Sequence, residues 1–415
     1  MSSKSLWKSI GPGLLWAAAA IGVSHLVQST RAGAVYGYTL VWAIILANLF
    51  KYPFFEYGPR YAAATGESLL EGYRRLGKGP IALYAFVSIG TTFSILAAVT
   101  IVTASIATQL FSSALSPFQY TIILLAFSAA LLYFGRFPAL DMLVKAIIVV
   151  LTISSITAVV IAARKPAPMA MDFVPPQVWT VAGISFLVAL IGWMPSAIDI
   201  SVWHSLWTLE RAKQTSHKPS VREALIDFNI GYIGTAVIAL FFLLLGALVM
   251  YGTGEKFAKT GAGFASQLIG LYTRTLGDWS RPVILVAAFT TMFSTTLTCA
   301  DAFPRVLRRL TMIILPKRFP GDGHNGLYWI WMAIVMGGAV LLLSVLKGGL
   351  TFMVDVATTL SFLTAPILGY LNLRVVTSEH MPVESRPGRV MRVLSWLGII
   401  FGTTLGVVYI VWRIF

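Results

Sequence analysis

Charge is scarce in this sequence: Asp, Glu, Lys and Arg make up 11% of 415 residues. Soluble domains carry about 25%, so most of the chain has no water-facing surface to offer. Cysteine is nearly absent as well. The lone Cys299 excludes a disulfide framework and any cysteine-based metal cluster. A Walker A loop, a dinucleotide glycine fingerprint and a His-Glu-x-x-His pair are all missing, so nothing marks an enzyme or the seat of a cofactor. A basic domain is missing too. The net charge of +15 comes from 31 Lys and Arg spread over short polar stretches, which suits anionic lipid headgroups and argues against nucleic acid.

What the chain does have is apolar length. Hydrophobic residues reach 57% and the mean hydropathy is +0.80. Apolar runs of about 20 residues, enough to cross a bilayer core as helix, recur along the chain, whereas a β-barrel needs alternating segments of about ten. We expect an all-α polytopic membrane protein forming one domain over 1–415, with eleven spans near 11–35, 39–63, 81–111, 117–135, 139–163, 178–206, 224–251, 281–303, 326–346, 350–373 and 391–413. Gly79-Pro80, Ser116-Pro117, Pro175-Pro176, Arg281-Pro282 and Lys347-Gly348-Gly349 punctuate them. The first run lacks an Ala-x-Ala-like site, so it reads as a span and not as a cleaved leader.

Lys and Arg are unevenly shared. The N-terminus and alternate loops hold 21 and the opposite side holds 9, with Lys51 inside a span. The positive-inside rule then puts the N-terminus in the cytoplasm and the C-terminus outside, with the bacterial inner (plasma) membrane as the expected location.

Two spans are interrupted at mid-depth. The first passes through Gly22-Val23-Ser24-His25, and the sixth through Gly192-Trp193-Met194-Pro195-Ser196-Ala197. Pro195 removes a backbone donor and clashes with the preceding turn. Breaks at corresponding positions in two halves point to an inverted-repeat transporter with a midplane site. The repeats would cover 10–163 and 178–373, five spans each, with 391–413 added. Freed carbonyls are tolerated there because they line a cavity.

Candidate ligands cluster at these breaks. His25 offers an imidazole, Met194 a soft thioether and Asp199 a carboxylate costly to bury without a task. These three are the expected metal set. Ser24, Gln28, Ser196 and the backbone near Gly22 and Ala197 would add neutral oxygens, and Trp193 would line the pocket for a cationic solute. Coupling or gating falls to Asp199, His25, Glu56, Arg60, Asp301 and Thr295. Lys51 and Glu56 are expected to pair within the second span, Asp227 and Asp301 to join gate networks (Asp301 beside Arg305), and Asp355 to lie near the outer mouth. His204, His217, His324 and His380 read as juxtamembrane or cytoplasmic.

Several stretches resemble the NRAMP family of proton-coupled divalent metal transporters: Ile10-Gly11-Pro12-Gly13, Ala32-Gly33-Ala34-Val35-Tyr36-Gly37-Tyr38, Ala47-Asn48-Leu49, Ala64-Thr65-Gly66, Met194-Pro195 and Ser294-Thr295-Thr296-Leu297-Thr298. The resemblance implies a leucine-transporter-like fold with a 5+5 inverted repeat and broken helices 1 and 6. It also implies alternating access, with spans 1, 2, 6 and 7 rocking against the others. Ser294, Thr295 and Thr296 resemble the hydroxyls that hold Na⁺ in sodium-coupled members of the wider superfamily. The family's Asp-Pro-Gly-Asn is replaced here by Gly22-Val23-Ser24-His25, the His after Met-Pro by Ser196, and the third span has no carboxylate between Pro80 and Ser116. The expected function is therefore secondary active transport of a divalent transition metal such as Mn²⁺ or Fe²⁺ through an altered site, the metal being cargo and not cofactor. The alternative is a small organic cation or amino-acid-like solute. The charge asymmetry predicts that a periplasm-active reporter fused after Phe415 gives signal and one fused at Met1 gives none; the reverse pattern would overturn the orientation.

Overall fold

The computed structural model describes residues 7–111, 114–135, 137–165, 167–319, 321, 324–346 and 349–414, with side chains apart from those of 137–148 and 413–414. The boundary expected at Lys347-Gly348-Gly349 lies partly outside them. Among the described residues the regular structure is entirely helical. The elements are α1 (Pro12–Ala20), a π-helical turn (Ser24–Ser29), α2 (Thr30–Tyr36), α3 (Val41–Thr65), α4 (Leu69–Leu76), α5 (Lys78–Leu110), α6 (Pro117–Tyr133) and α7 (Phe137–Arg164). They continue with α8 (Val181–Gly192), α9 (Ile200–Thr215), α10 (Val221–Val249), α11 (Gly261–Leu276), α12 (Ser280–Ile314), α13 (Asn325–Val345), α14 (Gly349–Val376) and α15 (Arg389–Ile414).

Each expected apolar run falls on helix, and six of the helices among the described residues are long and apolar enough by themselves to cross a membrane. The protein is an integral membrane protein. Large apolar side chains stay exposed on α6, α13 and α15, such as Ile123, Phe127, Ile334, Leu341, Leu397 and Ile400. These helices form the rim that meets lipid, while α5 and α12 are largely enclosed. Two helices were not anticipated. α4 and α11 are short and mixed in polarity, so a search for long apolar runs passes over them. Each buries one face, Leu69, Leu70 and Tyr73 in α4 and Phe264, Leu268 and Tyr272 in α11.

Both expected interruptions are present. The first span breaks at Ile21–Val23 between α1 and the π-helical turn, and the sixth unwinds between Gly192 and Ile200, with a cis Met194–Pro195 bond inside the gap. α10 holds the first interrupted span along its length. A Cβ on Gly33 would sit 1.9 Å from the Leu243 carbonyl, and one on Gly246 would sit 2.3 Å from that of Thr30. Small residues let these backbones touch, the usual way helices associate where water offers no hydrophobic drive. At the start of α1, Asp227 of α10 accepts from the amides of Gly11 (3.0 Å) and Gly13 (2.6 Å), so a carboxylate caps the donors on either side of Pro12, which has none.

Candidate functional site

The two breaks face each other across a cavity of about 30 Å³. From the first span it is lined by Ala19, Ala20, Val23 and Ser24, and from the sixth by Trp193, Ser196, Ala197, Asp199, Ile200 and Trp203. Ile95 and Val99 of α5 and Thr295 and Cys299 of α12 close the wall. Asp199 is buried there with Oδ1 lacking any hydrogen-bond partner, and the Thr91 hydroxyl lies against its carboxyl group. A buried carboxylate oxygen without a partner is expensive. It is the atom in this wall most in need of a cation.

The expected metal set does not assemble. Only Asp199 of the three lines the cavity, and among the described residues no group of three His, Cys, Asp or Glu is placed to hold a metal. His25 sits in the π-helical turn, which carries its ring toward α10. There Nε2 meets the Thr235 carbonyl at 3.0 Å and Nδ1 meets Ser24 Oγ at 2.7 Å. A carbonyl can only accept, so in the neutral ring Nε2 carries the hydrogen, while Nδ1 lies against a serine hydroxyl that also reaches the Ala20 carbonyl at 2.8 Å; both nitrogens are engaged within the protein. Met194 is fully buried in a separate apolar cluster with Tyr36, Ile44, Phe186 and Phe362, where its thioether fills space. Gln28 also points elsewhere, donating to Asp355 at 3.2 Å and to Thr358 at 3.5 Å.

The neutral positions fare better. Ser24, Ser196, Ala197, Trp193 and Thr295 all line the cavity, and Trp193 Nε1 is steadied by Ser361 Oγ at 2.7 Å. Gly22 contributes backbone: its carbonyl accepts from Leu26 at 2.9 Å, and a Cβ there would press against Thr295 at 2.9 Å. Thr295 Oγ1 reaches the carbonyls of Ala18 (3.2 Å) and Ile21 (3.4 Å), while Thr296 pairs with Thr103 at 2.7 Å. The hydroxyls of Thr295 and Thr296 thus bond protein groups.

The charges in α3 depart from expectation. Lys51 and Glu56, five residues apart, lie on different faces of the helix. Glu56 pairs with Arg60 one turn on, at 2.5 Å, and Arg60 also donates to the Ser385 carbonyl at 2.9 Å. Lys51 instead donates to the carbonyls of Ile191 (2.6 Å), Gly192 (2.8 Å) and Ser196 (3.4 Å) at the second break. His204, expected at a membrane edge, is fully buried against Phe228. Cys299 and Trp203 were not anticipated as lining residues, because nothing local distinguishes one cysteine or one tryptophan in an apolar helix.

The chain matches the natural resistance-associated macrophage protein-like (Nramp) family model over residues 13–412. It belongs to the Nramp family. It is 36% identical to an uncharacterised protein of Pasteurella multocida over 98% of this chain and 94% of that one. A divalent metal cation transporter, MntH, of Latilactobacillus sakei is 24% identical over 62% of this chain and 57% of its own length. Among solved structures, a mutant manganese transporter of Eremococcus coleocola superposes with a TM-score of 0.74 at 16% identity, covering 98% of this chain and 88% of that one, which shows a shared fold.

In this Nramp-family chain the approaches to the cavity differ on its two sides. On the side of the N-terminus a vestibule of about 910 Å³ opens between α1, α4, α9 and α12. Trp203 lines the cavity, edge-on to Phe303 at 4.8 Å, and Trp207, 6.1 Å from it between ring centroids, lines the vestibule. At the vestibule's rim Glu67 receives two bonds from Arg75, which hold its carboxyl below the usual carboxylate range. Deeper, Asp301 is held by Arg305 at 2.6 Å and by the Tyr328 hydroxyl at 2.6 Å. On the far side Arg31 Nη1 binds both oxygens of Asp355 at 2.8 and 3.0 Å, and its guanidinium lies over Phe186 at 4.6 Å. With Gln28 on the same carboxylate, this pair bolts α2 to α14. Asp355→Asn should loosen it by about 1 kcal/mol, raising roughly fivefold the rate at which a charged thiol reagent added from the far side modifies Cys299. A Cys299→Ser control fixes the background, and an unchanged rate would mean that the pair does not close that side.

Proposed function

We propose that this protein is a secondary active transporter that moves a divalent transition metal, Mn²⁺ or Fe²⁺ in character, by alternating access, with the cavity between the two breaks as the cargo site. The observation that carries the reading is the unpartnered Oδ1 of Asp199 in a cavity of about 30 Å³. A space of this size has room for a water or two, which suits a small ion better than an organic solute. Family membership and relatives named for metal cations and manganese support the same substrate class.

The donors around that space are a carboxylate, the hydroxyls of Ser24, Ser196 and Thr295 and the Cys299 sulfur. Oxygen alone would suit Mg²⁺ and Ca²⁺; adding sulfur shifts preference toward transition metals. In this reading Cys299 supplies the softness that Met194 was expected to bring. Proton coupling would run through Asp199, the one carboxylate in the lining, with His25 turned away.

On this reading eleven spans form two five-helix repeats, 10–163 and 178–373, plus the last helix. α1–α3 and α8–α10 rock against the remainder, and with the N-terminus in the cytoplasm the vestibule is the inward path. The far-side ion pair is then the closed outer gate. Mn²⁺ uptake into proteoliposomes tests the site. Asp199→Asn should lower uptake at least 100-fold, beyond the 10–100-fold cost of losing an outer-shell partner. Cys299→Ser should keep uptake but lose roughly tenfold in discrimination against Mg²⁺. Near-wild-type uptake by Asp199→Asn would place the cargo elsewhere. Absence of Mn²⁺ uptake by the wild type, with uptake of a small organic cation, would favour the other solute class.

A further inference from the structure

We infer that Lys51 is a built-in cation for the second break: its ammonium occupies the carbonyl cage that would otherwise call for a bound inorganic ion. α8 ends at Gly192, where the regular helical ladder stops: the Ile191 carbonyl keeps turn bonds from the Trp193 and Met194 amides (3.2 Å from Met194), and no such backbone bond reaches the carbonyls of Gly192 and Ser196 among the described residues. Inside a membrane such groups must be satisfied by protein, water or an ion. Lys51 reaches across from α3 and gives its three donors to three backbone oxygens, Ile191 at 2.6 Å, Gly192 at 2.8 Å and Ser196 at 3.4 Å. The match of donors to acceptors is complete.

Two features separate this from an ordinary buried ion pair. Among the described residues its hydrogen-bond partners are all uncharged carbonyls: Glu56 is engaged by Arg60, and Asp199 opens into the cavity. The negative end of the α8 dipole faces the ammonium and provides part of the compensation. The bonds also span the break. Ile191 and Gly192 precede Pro195, and Ser196 follows it, so one side chain ties the end of α8 to the segment that carries Ser196, Ala197 and Asp199 to the cavity. Lys51 is therefore a positioning residue, acting on the cargo site through the backbone. This is the geometry by which freed carbonyls coordinate a cation at a broken helix, with the cation covalently attached.

The stem of Lys51 runs beside a small apolar space lined by Ala47, Phe50, Phe54 and Phe362. Shortening the side chain should leave a cage and a channel that accept a free alkylammonium. The test is the unfolding temperature of purified Lys51→Ala during titration with methylammonium chloride, with choline chloride as the ionic-strength control. The variant should unfold roughly 5 °C below wild type. Methylammonium should restore much of that loss in a saturable way and leave the wild type unmoved. Mn²⁺ affinity, followed in parallel, should fall at least tenfold and return with the amine. A midpoint equal to wild type, or a loss that methylammonium repairs no better than choline, overturns the inference. The unfolding readout contains no Mn²⁺, so its outcome is independent of the cargo. If Lys51→Ala yields no folded protein, the wild type decides. Replacing Na⁺ and K⁺ by choline should leave its unfolding temperature unchanged, whereas stabilisation by either ion would put an inorganic cation at the break.

Discussion

Backbone carbonyls without partners, held at mid-depth in a membrane protein, are the constraint on which this structure turns. A continuous helix satisfies its own backbone, and breaking two of them leaves polar groups where no solvent can reach. Each break is repaired by a side chain from another helix. At the first, Thr295 of α12 touches the carbonyls of Ala18 and Ile21; at the second, Lys51 of α3 gathers those of Ile191, Gly192 and Ser196. A hydroxyl brings one donor and an ammonium brings three, so the second break is the more firmly tied of the two.

These repairs leave one buried acidic oxygen in the cavity wall unmatched, that of Asp199. The surroundings then acquire a common sense. On the far side Arg31 and Gln28 both hold Asp355, and on the other a wide vestibule is lined by Trp207, which packs on Trp203. A cation seated at Asp199 would give that oxygen the partner it lacks. Cys299 reaches the cavity from α12, and Thr91 of α5 lies against the Asp199 carboxyl.

Much of the fold was legible in the residues. Apolar runs of bilayer length located the long helices, because hydrocarbon enforces a simple rule on composition. Gly22 and the Gly192–Pro195 segment marked the breaks, because a helix there loses donors or rigidity. What escaped was direction. His25 and Met194 lie beside a break in sequence, but the π-helical turn swings His25 toward Thr235 and Met194 packs with Phe186 and Phe362. The partners of Lys51 are 140 residues and more away, beyond any local pattern. Cys299 is a single sulfur in an apolar helix, and only the meeting of α12 with the two breaks gives it a place beside Asp199. α4 and α11 were missed because their mixed faces resemble loop.

The central claim is that Asp199, with Cys299, and not His25 with Met194, marks where the cargo rests. Anomalous diffraction from crystals soaked in Mn²⁺ tests it without reference to transport. The account predicts a peak in the cavity at about 2–2.6 Å from an Asp199 oxygen, the span seen for oxygen-bound divalent ions. A peak against His25 Nδ1 and Met194 Sδ, or a cavity without density at saturating Mn²⁺, would contradict it.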